Sequence, residues 1–375
     1  MRLIIVSNKI YDFEKRSFST GGYQTYMRDL AALGVKLGLD TEIVQPDVVD
    51  AESAFCGYRI RSVKVDGTLF RSKNQTLFDR IDRRGARVVI GTDQMNIRAR
   101  YADVYTVQHG IAFDGPWPDR GGVFRNIWRT YGALVKVLVS LRNFARQSYS
   151  GNIVCVDYNY YNWFRTIGTV RTDQNIQVVP NYANQIYSID EIHKKLNACN
   201  KPRKIVFARR FVDYRGCELF IDCIRELLPK YEDLRVVFAG DGPLEPKVRA
   251  LAAECSRITV ERYDPSGAVE FLHQFDISVI PTLSSEGTSL SLLESMAAGC
   301  YPIATHVGGI TNVILDGYNG SMIYPAKAQL LEALDSVLNM DGDCFRQRVN
   351  NAYLTISSSF SKERWERDWT RILSR

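Results

Sequence analysis

Histidine is scarce in this chain, with four among 375 residues, and none stands beside a cysteine at metal-ligand spacing. The eight cysteines (Cys56, Cys155, Cys199, Cys217, Cys223, Cys255, Cys300 and Cys344) include no CxxC pair. That pattern argues against a structural zinc and for reduced thiols in a cytoplasm. Long apolar runs are missing too. The N-terminus, MRLIIVSNKIYDF, offers four consecutive apolar residues before a polar break, fewer than the core of a secretory leader needs, and no stretch approaches the length of a membrane span. Acid is short in the first half. Residues 98–146 carry eight Lys or Arg against three Asp, and residues 58–87 carry nine against three. A basic half suits a phosphorylated lipid, an anionic glycan or an anionic membrane surface, and it also reads as a solvated face without a partner. Nucleic acid would match the charge, but no recognition module is present.

What remains is an ordinary globular composition, 45% hydrophobic and 24% charged, at a length that favours two domains. Short β-branched runs alternate with helical patterns almost throughout. Leu3 to Val6, Glu42 to Val44, Val88 to Ile90, Val104 to Val107, Ile153 to Val156 and Ile176 to Val179 read as buried parallel strands, as do Ile205 to Ala208, Val236 to Ala239, Ile277 to Ile280 and Pro302 to Ala304. Helices are expected at Tyr23 to Leu37, Phe220 to Leu227, Leu244 to Glu254 and Leu290 to Ala298. This alternation means open, doubly wound α/β sheets, with ligands at the carboxyl ends of the strands. The polar, turn-rich passage after Pro180 marks the domain boundary. Near the end, Phe360, Trp365, Trp369, Ile372 and Leu373 fall at helical spacing on a helix that could pack across both halves. A dehydrogenase would need G-x-G-x-x-G directly after a strand, whereas Leu3 to Val6 is followed by SNKIYDFEKRSFSTGG and the later GDGP lacks a third glycine.

Residues 284–300 read SSEGTSLSLLESMAAGC. Thr288 or Ser289 is a good N-cap whose hydroxyl can accept from a backbone N–H, and Leu290, Leu293, Met296 and Ala297 then recur at helical spacing. A helix start is a ready site for an anion. Glu286 and Glu294 flank it eight residues apart, about 12 Å at helical rise. That is too far for the roughly 5 to 5.5 Å carboxylate pair of a retaining hydrolase. They read either as exposed surface residues or as acceptors for hydroxyls at two ends of one long phosphorylated ligand. Arg209 and Arg215 in FARRFVDYRG lie just past a strand, where forked guanidiniums can grip a diphosphate.

Taken in order, FARRFVDYRG, FAGDGP, SSEGTSLSLLE and HVGGITNVILDGYNG resemble the retaining glycosyltransferases of family 4 (glycosyl transferases group 1). STGGY at 19–23 resembles that family's glycine loop, and VQHG at 107–110 its strand-end histidine. The resemblance covers nearly the whole chain and is strongest over residues 205–320. It implies the α/β GT-B fold: two facing Rossmann-like domains, an interdomain cleft, and a C-terminal helix crossing back to the first domain. The implied domains are an acceptor-binding one, 1–185 plus the helix 361–375, and a nucleotide-sugar-binding one, 186–360. The implied activity is retaining, metal-independent hexosyl or deoxyhexosyl transfer from a UDP, GDP or dTDP sugar to a glycan or lipid-linked acceptor, in bacterial surface polysaccharide or glycolipid assembly.

The resemblance also implies roles. Glu286 would bind donor-sugar hydroxyls, with the backbone of Gly287, Thr288, Ser289 and Leu290 near the sugar and diphosphate, and Glu294 would hold the ribose. Arg209 and Arg215 would stabilise the departing diphosphate, His109 would line the sugar near the acceptor, and Gly21, Gly22 and Gly240 would belong to the donor site. No metal or other cofactor is expected, and the DGD at 341–343 reads as a turn. Arg215 stands where the family usually has Lys, and Tyr182 where it usually has Gly. The stretch 125–147, with Trp128, Tyr131, Leu134, Leu138, Leu141 and Phe144 among basic residues, reads as a helix lying on an anionic membrane or as a core-packing helix with a basic outer face. Other readings of the same fold are a nucleotide-sugar epimerase, which needs no acceptor, and a phosphorylase, which needs phosphate and usually a pyridoxal-bearing lysine. From another class, the chain reads as a non-catalytic sugar-nucleotide or glycan-binding protein.

Overall fold

The computed structural model describes the chain apart from residues 20, 66–72, 96, 98–100, 112–131, 133, 136, 139, 143, 146–150, 168–174, 285 and 375. Trp128, Tyr131 and most cations of the 98–146 run lie outside the described residues. The described residues up to Val179, with those from Glu366 onward, form one unit, and Pro180–Trp365 form the other.

The first unit holds ten strands: β1 (Arg2–Val6), β2 (Tyr11–Asp12), β3 (Ser17–Phe18), β4 (Asp40–Asp47), β5 (Ala51–Phe55), β6 (Tyr58–Lys64), β7 (Ala86–Ile90), β8 (Val104–Gln108), β9 (Asn152–Cys155) and β10 (Asn175–Val178). Eight form one sheet in the order β10-β9-β8-β7-β1-β4-β6-β5, parallel except for β5, which returns antiparallel on β6; β2 and β3 pair separately. Val6 lies opposite Val44 on one side and Ile90 on the other, so β1 is central and its apolar run is covered on both faces. The order reverses at β1 and β7, which makes the carboxyl ends of those two strands this unit's switch point.

The second unit adds β11 (Lys204–Ala208), β12 (Arg235–Ala239), β13 (Ile258–Glu261), β14 (Ile277–Ile280), β15 (Tyr301–Thr305) and β16 (Ser321–Ile323), all parallel in the order β13-β12-β11-β14-β15-β16. Its switch point lies between β11 and β14. Phe207, Phe211, Phe220 and Phe238 pack together under one face, with Phe207 and Phe220 stacked at 5.6 Å. On the other face Leu292, Leu293, Met296 and Ala297 of the helix Leu290–Ala297 are buried, as their spacing requires.

Three details differ from the sequence reading. Residues 180–185 pack with the second unit because Ala183 bridges to Ser361 and Tyr182 lays its ring 4.6 Å from that of Trp365. Phe360 caps the preceding helix, Gly342–Ser359, and the last helix is Lys362–Leu373, whose Trp369 packs in the first unit and donates from Nε1 to the Tyr26 hydroxyl at 2.8 Å. Asp341 begins a helix, not a free turn: its carboxylate accepts from the backbone N–H groups of Asp343 and Cys344, the usual N-cap duty of an Asp.

Candidate functional site

Arg209, Arg215, Thr282 and Glu286 of the second unit lie in the segments that follow the carboxyl ends of β11 and β14. Arg209 follows β11, where its backbone N–H bonds to Ala239 of β12. Arg215 ends a single 3₁₀ turn, Asp213–Arg215, which Gly216 closes in the left-handed region at φ 77°. A β-carbon on Gly216 would lie 1.9 Å from the Pro281 carbonyl oxygen, so only glycine lets this turn pack on the end of β14. Thr282 and Glu286 follow β14.

These four groups meet. Nη2 of Arg209 donates to both Glu286 oxygens, at 2.6 and 2.8 Å, while Nη1 reaches the Thr282 hydroxyl, which in turn donates to Glu286 at 2.8 Å. Arg215 brings Nη1 to 2.8 Å from the same carboxylate, as an ion pair without hydrogen-bond geometry. Only 4% of the Arg209 side chain and 11% of the Glu286 side chain is exposed, so both charges are largely withdrawn from water. Burial works against both. Two cations converge on Glu286, and their attraction outweighs burial and holds its carboxyl down at about 2. For Arg209 burial prevails: its guanidinium is pushed below its ordinary value despite Glu286, with Arg215 adding repulsion. Two cations against one anion leave the cluster with one net positive charge.

The loop that carries Glu286 is held from behind by HVGGI. The Gly309 N–H donates to the Glu286 carbonyl at 2.7 Å, and a β-carbon on Gly308 would lie 1.9 Å from that same oxygen. Asn181 Nδ2 donates to the Thr288 carbonyl at 2.6 Å. Gly240 takes φ 148° against the Arg209 carbonyl, fixing the turn that aims the arginine. Ser289 stands at the N-cap position as expected, but its hydroxyl accepts no backbone hydrogen bond and is buried without a partner.

Glu294 lies one helical face further on. It is half-buried, has no side-chain hydrogen bond or ion pair among the described residues, and desolvation pushes its carboxyl up to about 8. Tyr263, stacked on Phe271 with ring centroids 4.6 Å apart, lies near enough to feel its charge. Glu286 and Glu294 therefore have opposite electrostatics: one is a fully ionised counter-ion, the other a carboxyl in want of a partner.

His109, Gly21 and Gly22 sit in the first unit. His109 follows β8, and its Nε2 donates to the Gly91 carbonyl past β7 at 2.9 Å, which leaves Nδ1 as the acceptor. The rings of Tyr23 and Tyr26 stand edge-on to it at 5.3 and 5.2 Å, and burial pushes its imidazolium down to about 4. Gly21 precedes the helix Gly22–Lys36 at φ 152°. Tyr23 of that helix shares a hydrogen bond with Ser7 past β1, at 2.9 Å. The glycine turn and the histidine thus converge on the switch point of this sheet. Sequence reasoning missed Thr282, Ser7, Tyr23 and Gly91. Only Thr282 carried a signal, as a hydroxyl four residues before Glu286 at a strand end.

Residues 188–354 match the family model of the glycosyl transferases group 1. Over those residues the chain is similar to this family. The lipopolysaccharide 1,2-N-acetylglucosaminetransferase of Salmonella typhimurium is 24% identical over 208 residues, covering 51% of this chain and 53% of that protein. The chain spans about half the length of such curated relatives. Among solved structures, Anabaena HepE in complex with UDP superposes with a TM-score of 0.69 at 14% identity, covering 100% of both chains. Sucrose-phosphate synthase from Thermosynechococcus elongatus gives 0.73 at 14%, covering 99% of this chain and 98% of that one. The chain therefore has the GT-B type of fold, with two Rossmann-like sheets.

Proposed function

We propose that the protein is a retaining, metal-independent glycosyltransferase that moves a hexosyl or deoxyhexosyl group from a nucleotide-diphosphate sugar to a glycan or lipid-linked acceptor. The product belongs to surface polysaccharide or glycolipid assembly, at the cytoplasmic face of a membrane. The observation that carries the reading is the Arg209–Glu286–Arg215 cluster at the β11/β14 switch point, with the unpartnered Glu294 eight residues on. The cluster's net positive charge attracts a diphosphate. Phosphate oxygens entering it take up guanidinium donors and free Glu286 for sugar hydroxyls, while Glu294 accepts from the ribose. The buried Ser289 hydroxyl supports the same reading, because a donor there meets a phosphate or sugar oxygen at a helix start.

In the transfer step the acceptor hydroxyl attacks the anomeric carbon on the face the diphosphate leaves. The carbon–oxygen bond to phosphate breaks as the new glycosidic bond forms, and the acceptor proton passes to the departing phosphate oxygen. Arg209 and Arg215 stabilise the charge that develops there. In the first unit, His109 is neutral at physiological pH and offers its unprotonated Nδ1 to a hydroxyl, and Gly21 and Gly22 permit close backbone approach at the same switch point.

Thermal melting of the wild type and Glu294→Ala with UDP, GDP, ADP and dTDP sugars, without added metal, tests the proposal. One nucleotide family should raise the midpoint in the wild type and not in the variant. No shift with any donor would sink the transferase reading in favour of a glycan-binding role.

A further inference from the structure

The helix Leu290–Ala297 starts beside Glu286 and ends near a cleft of about 950 Å³ at the opposite end of the same sheet. Lys204, the first residue of β11, and Asp276, just before β14, line that cleft, so it opens at the amino ends of the two strands whose carboxyl ends lead to Arg209 and Thr282. Its size suits a small molecule. Five lining side chains are cations (Lys194, Lys195, Lys201, Arg203 and Lys204) and three are acids, an excess of two positive charges. The acids are already engaged. Both oxygens of Asp233 accept from Arg203 Nε at 2.9 Å, Asp276 accepts from the backbone N–H groups of Arg203 and Lys204 at 2.8 and 2.9 Å, and Glu191 closes a capping box with Ser188. Among the described residues the ammonium groups of Lys194, Lys201 and Lys204 have neither an ion pair nor a hydrogen bond. Like charges gathered around one concavity draw a counter-ion into it, and ammonium donors match phosphate oxygens. No lining residue is an exposed large apolar side chain, so an acyl chain would have nothing to lie on.

Two side chains of the cleft also hold the end of the helix. Lys195 Nζ and His273 Nδ1 both donate to the Ala298 carbonyl, at 2.9 and 3.0 Å. Ala298 is the C-cap residue, and its own N–H donates to the Glu294 carbonyl at 3.0 Å. The last carbonyls of a helix have no partner within it, and here the cleft supplies the donors. Tyr187 stacks on the His273 ring at 3.9 Å and fixes the imidazole in place, which leaves Lys195 as the donor free to turn. An anion in the cleft competes with the Ala298 carbonyl for Lys195, and a charged acceptor makes the stronger hydrogen bond. Withdrawal of that donor loosens the last turn of the helix that carries Glu294.

We propose that this cleft is a regulatory site for a small, soluble, phosphate-bearing anion of two or more charges, which acts by drawing Lys195 away from the end of the helix Leu290–Ala297. Binding and loosening stand apart from the transfer chemistry. That the loosened helix serves a nucleotide sugar rests on the function proposed above.

Pyridoxal phosphate, a phosphate-bearing aldehyde that labels lysines, locates the site, because the Arg209–Glu286–Arg215 cluster offers guanidiniums and no lysine. After borohydride reduction and peptide mapping of the full chain, Lys194, Lys195, Lys201 or Lys204 should carry at least roughly tenfold more label than other lysines, and inorganic pyrophosphate should remove that excess. Amide hydrogen exchange reads the coupling. Pyrophosphate should speed exchange at Ala298, Gly299 and Cys300 by at least roughly threefold in the wild type. The effect should vanish in Lys201→Glu/Lys204→Glu and persist in Lys201→Arg/Lys204→Arg, where the charge is kept. Even labelling across all lysines, or exchange at 298–300 that pyrophosphate leaves unchanged, would overturn the proposal. So would a speeding that survives in the Glu pair, since the anion would then act from the arginine cluster. Donor-induced thermal shifts of the Glu pair, taken without pyrophosphate, report separately on the nucleotide-sugar reading.

Discussion

Replacing Glu286 with Gln keeps the shape of the side chain and removes the one anion that two guanidiniums share. A fall of the Glu286 carboxyl from 4.5 to about 2 corresponds to about 3 kcal/mol of folding stability at roughly 1.4 kcal/mol per tenfold. The carboxyl is depressed in the folded state, so this contribution is fully present above about 4.5 and fades as pH falls toward about 2. In Glu286→Gln at neutral pH, Arg209 is left buried with only Thr282 and a neutral amide, whereas Arg215, 28% exposed, recovers water. At 2–4 °C per kcal/mol for a unit of this size, melting of the second unit should drop by roughly 6–12 °C. Differential scanning calorimetry near neutral pH reads the shift directly. The double variant Arg209→Met/Glu286→Gln should recover at least half of it, because removing both charges leaves no buried ion uncompensated. Midpoints within a degree of wild type for the single variant, or a double variant whose loss is the sum of the singles, would refute the reasoning.

Glu294 runs the other way: its carboxyl is raised, so the folded state holds the proton more tightly and loses stability as pH rises from about 4.5 through about 8. Glu294→Gln should flatten melting temperature against pH over that window; a parallel curve would contradict the raised value. Donor binding should release a proton near neutral pH as the carboxylate takes ribose hydroxyls, seen as a buffer-dependent heat in titration calorimetry. Gly308→Ala forces a β-carbon onto the Glu286 carbonyl from a backbone at φ 49°. It should cost about 2 kcal/mol or more and abolish the donor-induced melting shift, while silent behaviour would mean the loop has slack. Trp369→Ala empties a fully buried site and removes the Nε1 donor from the Tyr26 hydroxyl, and should cost about 3–5 kcal/mol by urea unfolding of the first unit.

The sequence made the parallel strands legible because each is buried on both faces and so reads as a β-branched run: Leu3 to Val6 and Ile205 to Ala208 fall inside β1 and β11. Missed strands lie toward the edges. β5, with alternating burial and Glu52 on its outer face, and β13, with Glu261, carry the mixed polarity of a half-covered strand, which short loops also show. Similar logic divides the site. Arg209, Arg215, Glu286 and Glu294 were visible because strand ends, a glycine step and a helix start are local features. The bond between Arg209 and Glu286 was not, because 77 residues separate the partners and nothing local distinguishes an arginine that awaits a phosphate from one already holding a carboxylate. That pairing changes the chemistry read from the same residues. From sequence, Glu286 is a sugar ligand and the arginines are anion ligands, independent of each other. In the folded protein they are one group with one spare positive charge, so under the proposed function an incoming diphosphate would compete with Glu286 for guanidinium donors. A diphosphate that wins this competition frees the carboxylate for sugar hydroxyls, whereas an anion too small to carry a sugar frees it with nothing to bind. Under the proposed function, discrimination for an intact nucleotide sugar would follow from the exchange itself.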